Sequence, residues 1–356
     1  MTGRWSRRVV FAAGGLVLAA CGHEQPFRPG TYGPDGPFNP STLYRLTLNP
    51  LDDRTPAWTP DGTGIWYAVE RNDRRDLDHC LGRLPPAGGA RVETRCHVTV
   101  PAEDSTDVLE GPSPASDGRL AYVHVNGRIG SVTPYGGQLA VAPADAGEPQ
   151  VVLRLPSPPL GRRGFDRATQ VRWLGGDTLV FVGELWIYVQ NDLAGIRDTI
   201  ETGVGIETIV LGAARPERVP DTDWASSVAI GDTAGVLYYT LNGESRVMRR
   251  RLASGDTATV YDFGTLGITR DVQVRAGRLV AVVGGSVTAG WDANLGALVQ
   301  NDEGGFLYWV DLATGVRGLV SDSARFRRPA LSPDGRRIVA EVRGPGGSDL
   351  WLAELP

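Results

Sequence analysis

The sequence predicts an all-β fold, a six-bladed β-propeller whose ring is closed by the N-terminal strand joining the last blade. Three observations lead there. Gly supplies 47 and Pro 25 of the 356 residues, about one in five against a usual share of roughly one in eight, which disfavours long helices. A unit of strand, tight turn and strand recurs along the chain. The last copy of that unit stops one strand short, while a surplus strand precedes the first copy. With 41% hydrophobic and 22% charged residues there is enough apolar material for a large core.

The first twenty residues read as an address. Arg4, Arg7 and Arg8 form a basic start, and Val9 to Ala20 is an uncharged run of small and apolar residues. As a helix this run spans about 18 Å, short of the roughly 30 Å hydrocarbon core, so a cleaved export signal is expected rather than a permanent span. Leu18-Ala19-Ala20-Cys21 then resembles the bacterial lipobox, which implies cleavage before Cys21 and lipidation of its thiol, a membrane anchor of several acyl chains. Gly22 follows where an Asp would resemble an inner-membrane retention signal. The expected location is therefore the bacterial cell envelope, at the outer membrane, facing the periplasm or the exterior. Residues 21–40 are Pro/Gly-rich without periodicity and read as a tether, which leaves 41–356 for the propeller.

Cys80 and Cys96 remain, in a compartment where thiols oxidise. They flank Pro85-Pro86-Ala87-Gly88-Gly89, whose turn places the two sulfurs opposite each other on adjacent antiparallel strands, so a disulfide is expected. A zinc site of His79, Cys80, Cys96 and His97 is the weaker reading. Neighbouring residues on a strand point to opposite faces, and His79 and Cys80 cannot both reach one ion.

The repeat is clearest at its ends. Pro56-Ala57-Trp58-Thr59-Pro60-Asp61-Gly62 and Pro329-Ala330-Leu331-Ser332-Pro333-Asp334-Gly335 are each followed by an apolar strand, IWYAV and RIVAEV. Pro presets φ, Asp accepts a local backbone hydrogen bond, and Gly takes the positive φ that closes the hairpin. Weaker copies begin at Pro112, Val171, Val228 and Val272. Six copies separated by about 55 residues suit four-stranded blades with some long loops. The surplus strand at Thr42 to Leu48 completes the last blade and removes an open sheet edge. With Leu46-Thr47 and Asp52-Asp53 ahead of Pro56, the pattern resembles the TolB-type propeller repeat, a WD40-like Pro-Asp-Gly repeat. The resemblance implies a role in the envelope and carries over scaffold positions only.

Composition removes much chemistry. Every basic residue is Arg, so a Walker Lys, a Schiff-base Lys and a Ser-Lys dyad are excluded. The net charge of −5, three units more negative without the signal, disfavours nucleic acid. The four His are scattered and no nucleophile elbow or His-Glu-x-x-His occurs, so no catalytic residue, cofactor or metal is predicted. Acidic pairs such as Asp52-Asp53 and Asp221 with Asp223 read as turn caps ahead of cation ligands.

Two candidate surfaces remain. Aligning the repeats places Arg54, Glu110, Thr169, Ser226, Asp271 and Arg327 around the channel mouth, just before the innermost strands. The connections from second to third strand are long in four repeats, Arg71 to Asp78, Asn126 to Gly137, Glu184 to Gly205 and Gly284 to Gly304. Two of them carry Trp186, Tyr188 and Trp291, which suit an interaction surface; alternatively Trp186 and Tyr188 continue the preceding strand. The expected function is a non-enzymatic binding module for a protein, peptide or envelope polymer. The alternative is a propeller enzyme, a lyase, lactonase or sugar-active enzyme, with its site at the channel mouth.

Overall fold

The structure is a computed structural model that describes residues 23–24, 43–48, 51–70, 79–96, 105–128, 136–145, 147–155, 163–191, 196–292, 297–322, 324–344 and 347–356. The fold is an all-β propeller arrangement. The first repeat comprises strands Asp53–Trp58, Ile65–Glu70, His79–Leu84 and Glu93–Arg95, and the second Ser105–Pro114, Leu120–Arg128, Gly136–Ala142 and Gln150–Leu155. A single parallel bridge, His79 to Val108, joins these two into one eight-stranded sheet. Three separate four-stranded sheets follow. They are Arg163–Gly175, Thr178–Asn191, Ile196–Val210 and Glu217–Arg218; then Ala225–Ile230, Val236–Leu241, Arg246–Arg251 and Thr257–Asp262; then Thr269–Arg275, Arg278–Val283, Phe306–Asp311 and Arg317–Leu319. The last sheet takes Phe326–Leu331, Arg337–Gly344 and Gly347–Glu354 from the C-terminus and Leu43–Arg45 from the N-terminus.

The Pro-Asp-Gly turns are built alike at both ends of the chain. Thr59 and Ser332 each close a turn in which Gly62 or Gly335 donates to the backbone oxygen of Thr59 or Ser332 at 2.9 Å. The two glycines have φ of +70° and +68°, a conformation that other residues adopt at a cost. The Asp61 carboxylate accepts from the Thr59 hydroxyl (2.6 Å), the Thr63 N–H (3.0 Å) and the Thr63 hydroxyl (2.9 Å). These donors hold its pKa down to about 2.

Each second strand explains its own composition. Along Ile65–Glu70, Ile65, Tyr67 and Val69 face one apolar cluster, with Trp58, Val339 and Leu350, while Trp66 and Ala68 face another, with Leu109 and Tyr122. Along Arg278–Val283, Leu279, Ala281 and Val283 pack with Val247 and Val272, and Val280 and Val282 with Phe326 and Ile338. A strand buried on both faces reads as an unbroken apolar run, since its period of two divides one run between two cores. Among the described residues there are six such clusters, each shared by two repeats, one of them by the last and the first.

That closing seam is the expected one. Leu43, Tyr44 and Arg45 pair with Ala353, Leu352 and Trp351. Leu46 N–H donates to the Leu350 oxygen at 2.7 Å, and Leu350 N–H to Thr47 Oγ1 at 3.0 Å. Trp58 Nε1 reaches the Ala330 oxygen at 3.0 Å, tying the first repeat directly to the last.

Cys80 and Cys96 form a disulfide at the outer edge of the first repeat, where Leu81 pairs with Arg95. The bond consumes both thiols that a zinc site would need. Cross-linking residues 16 apart stabilises by about 3 kcal/mol through loop closure. Replacing both cysteines by Ser is expected to lower stability by that order in urea titrations; an unchanged midpoint would show that the crosslink constrains little.

The long second-to-third connections differ from the expectation of loops in two repeats. Thr178–Asn191 and Ile196–Val210 continue as one hairpin whose pairing runs to Asn191–Ile196. Val287–Asp292 and Ala297–Asp302 form a separate two-stranded sheet inserted in the fifth repeat. Residues 71–78 and 129–135 lie outside the described residues, as do the signal and Cys21.

Candidate functional site

Each innermost strand carries a register shift at the channel mouth, after Arg54, Glu110, Thr169, Ala225, Arg270 and Arg327. The residues expected just before these strands therefore lie inside them, because a β-bulge there lets pairing resume beyond the extra residue. In five repeats the residue after the break has positive φ, namely Thr55 (49°), Gly111 (61°), Gln170 (53°), Asp271 (52°) and Arg328 (46°). Asp271 therefore belongs with Thr55 and Arg328, and Arg270 is the counterpart of Arg54 and Arg327. The alignment from sequence was one residue out in the fifth repeat.

The bulge residues join the repeats around the axis. Thr55 Oγ1 accepts the Gly111 N–H (3.1 Å), Gln170 Oε1 the Val228 N–H (3.3 Å) and Ser227 Oγ the Val272 N–H (3.3 Å). Asp271 Oδ2 accepts the Arg328 N–H (3.2 Å), and Glu341 Oε1 the Thr55 N–H (3.1 Å). The seam between the second and third repeats is bridged otherwise, since Gly111 has no side chain; there Trp173 Nε1 donates to the Ser113 oxygen at 2.8 Å. Gln170 Nε2 also donates to Asp271 Oδ1 at 2.8 Å, joining the third repeat to the fifth past the fourth.

Charge follows the same ring. Glu341 is fully buried and lies 3.5 Å from Arg327 Nε and 3.3 Å from Arg328 Nη1. Its carboxylate pushes the Arg328 pKa up, ahead of the opposing effect of burial. Arg327 Nη2 also donates to Ser348 Oγ at 2.6 Å. Arg54 pairs with Asp52, and burial lowers its pKa despite Glu341 and Glu110 nearby. Burial raises the Asp271 carboxyl, the property wanted in a general acid or base. Both of its oxygens are already engaged, however, and taking up a proton would sacrifice one of those bonds. Deeper in the ring, burial and then Arg275 pull Arg172 down to about 10. Ser226 Oγ bonds Thr240 Oγ1 at 2.9 Å, and Thr169 is half-buried beside its partner strand.

Among the described residues one set of possible cation ligands converges, Asp52, Glu70 and His79, with ligand atoms within 4.8 Å of one another. Asp52 is engaged with Arg54 and with the Ser348 N–H (2.6 Å), and Glu70 Oε2 accepts the Asp52 N–H (3.0 Å). Asp52 thus acts as a cap on the closing seam. Asp221 and Asp223 pair with Arg250 and Arg218 at 3.1 and 3.0 Å.

Trp186 and Tyr188 fall on the strand Thr178–Asn191, opposite Thr202 and Thr199, and Trp291 on Val287–Asp292, opposite Leu298. Trp186 and Tyr188 thus continue the preceding strand, the second of the two expectations for them. Their side chains lie outside what is described. Sequence reading missed Gln170, Ser227, Arg328 and Glu341. Glu341 had a visible signal, a single carboxylate inside the apolar run RIVAEV.

No protein-family model and no curated protein matches the sequence. The fold, by contrast, is shared with solved propellers. TolB from Acinetobacter baumannii superposes with a TM-score of 0.51 at 12% identity, over 83% of this chain and 64% of that one, so this chain spans less than two thirds of that protein. A gluconolactonase from Xanthomonas campestris matches with a TM-score of 0.50 at 14% identity, over 88% and 89% of the two chains. An oligogalacturonate lyase in complex with manganese matches with 0.48 at 14% identity, over 94% and 97%. The chain is thus a β-propeller protein of TolB-like fold.

Proposed function

We propose that this chain is a six-bladed propeller of the bacterial envelope, lipid-anchored at Cys21 of an outer-membrane lipoprotein, that acts as a non-enzymatic binding module. Counting the eight-stranded sheet as two blades gives six, matching the six apolar clusters. The observation that carries the functional reading is a contrast on one face. At the channel mouth, Asp271 and Glu341 accept the Arg328 and Thr55 N–H groups of the next repeat, Arg327 reaches the Asp302 oxygen of the preceding one, and Arg54 pairs with Asp52 in its own, which supports a structural role. From the same face, where second strands end beside the bulges, the hairpins over 178–210 and 287–302 extend the third and fifth repeats. Paired strands hold a surface in shape better than loops do, which lowers the ordering cost of binding. Their partner would be an envelope protein, peptide or polymer.

Cross-linking and capture of the membrane-anchored protein from its own cells tests this, beside a variant with residues 186–203 and 288–301 replaced by Gly/Ser links. A partner is expected with the intact protein and lost with the folded variant. A partner set identical for both would defeat the reading. The alternative, a propeller enzyme, rests on the raised Asp271 carboxyl and requires turnover that vanishes in Asp271→Asn.

A further inference from the structure

The face that bears the hairpins also carries a belt of turns, and this belt combines exposed apolar side chains with acidic charge. It begins at Trp224, whose N–H donates to the Val204 oxygen and whose oxygen accepts from Asn242, both at 2.7 Å. The loop that starts at Asn242 continues to Glu244 and Ser245, whose oxygens accept the Thr269 and Phe263 N–H groups at 2.8 and 3.0 Å. Ile268 in turn accepts the Gly284 N–H at 2.8 Å, and Ser286 the Glu303 N–H at 3.0 Å, at the base of the inserted hairpin. Backbone bonds therefore link one turn to the next across the third, fourth and fifth repeats.

Apolar side chains stand out of this belt, with Trp224 54% exposed, Leu266 38%, Ile268 47% and Val287 51%. Large apolar groups exposed along one continuous surface mark interaction sites. Trp224 is also strained. Its φ is +65°, an uncommon conformation for a bulky residue, and Asp221 in the same turn has +53°. The clamp on both its backbone groups keeps the indole presented to solvent.

The belt carries an excess of negative charge. Residues 219–224, 242–246, 262–268, 284–287 and 302–305 contain the acids Asp221, Asp223, Glu244, Asp262, Asp302 and Glu303 and a single base, Arg246. Arg218, Arg250 and Arg270 reach in from flanking strands to Asp223, Asp221 and Asp302. Arg246 pairs with Glu244 at 2.6 Å and stands opposite Asp262 in the sheet, and Asp262 and Glu303 receive hydrogen bonds from Ser245 and Ser286, both at 2.6 Å. The bonds from Ser245 and the Gly264 N–H hold the Asp262 carboxyl below its usual range, so it stays ionised.

We propose that this belt docks an extended segment of a partner protein in which apolar side chains alternate with Arg or Lys, one cation stacking on the Trp224 indole and others facing Asp262 and Glu303. The proposal deepens the binding-module reading by naming the partner chemistry and its place. The probes are three ten-residue synthetic peptides that alternate Leu with Arg, with Ser or with Glu, titrated by fluorescence anisotropy against the mature chain. The Leu/Arg peptide is expected to bind at least tenfold more tightly than the others and to weaken with salt. Trp224→Gly, which suits a positive φ, is expected to keep the Tm or raise it and to weaken Leu/Arg binding about tenfold. Asp262→Asn with Glu303→Gln retains the serine-facing acceptors and is expected to remove the preference for Arg over Ser.

Equal binding of the Arg and Ser peptides, or Leu/Arg binding untouched by both folded variants, overturns the docking belt. Should that happen while a hairpin-dependent partner is still captured from cells, the binding module stands and only the belt falls. Belt binding without any such partner would keep the belt and remove the hairpins from the binding surface.

Discussion

Deleting residues 43–48 is expected to destabilise the protein more than any single substitution, because six residues close the ring from outside the last repeat. Leu43 and Leu46 are 2% and 0% exposed and enter the apolar clusters on either side of the last sheet. Leu46→Ala alone is expected to cost about 2–5 kcal/mol, the usual range for a buried Leu. The deletion adds the loss of pairing to Ala353, Leu352 and Trp351 and strips the strand Gly347–Glu354 of its outer neighbour, leaving it paired only with Arg337–Gly344. An uncovered edge strand templates association, so the deleted protein should melt earlier and aggregate from the native state. Calorimetry with light scattering reads both, and melting like that of the intact chain would show that the N-terminal strand does not close the ring.

Glu341→Ala is the second large effect. The carboxylate lies between Arg327 and Arg328 at zero exposure and accepts the Thr55 N–H, so its removal takes the counter-ion from both guanidiniums, of which Arg327 keeps its bond to Ser348, and the acceptor from the Thr55 N–H. Breaking one side of a buried ion pair costs about 3–5 kcal/mol; because Arg327 is 13% exposed but Arg328 43%, solvent screens part of this and a loss toward the lower end is expected, to be read as a drop in the urea midpoint. Glu341→Gln keeps an acceptor and should lose less. A loss below about 1 kcal/mol for the Ala variant would mean that the channel mouth is hydrated and its charges are not holding the seam.

What could be read from the sequence and what could not divide along physical lines. The turns at Gly62 and Gly335 announce themselves because Pro, Asp and Gly each meet a local requirement. The second strands were visible as apolar runs, since burial on both faces leaves no polar alternation. The closing strand followed from counting strands, and the disulfide from the turn midway between two cysteines of a chain expected to be exported. The bulge residues were hidden. Thr55, Gln170, Asp271 and Arg328 take positive φ without being Gly, in step with the hydrogen bonds that the first three accept from the next repeat and that Arg328 donates to the preceding one, and no local pattern encodes it. That is why Asp271 was placed one position off. The hairpin over 178–210 looked like a loop because Glu184, Gly195, Gly203 and Gly205 interrupt the apolar alternation, while its pairing is set by a register fourteen residues deep.

These features separate a ring that satisfies itself from a face that offers surface. Hydrogen–deuterium exchange of the mature protein, with and without the partner captured through its hairpins, tests that separation most directly. The account predicts new protection in 178–210, 219–224, 262–268 and 287–302, with the bulge segments 53–57 and 326–330 unchanged. Protection confined to those bulge segments would place binding in the channel and contradict it.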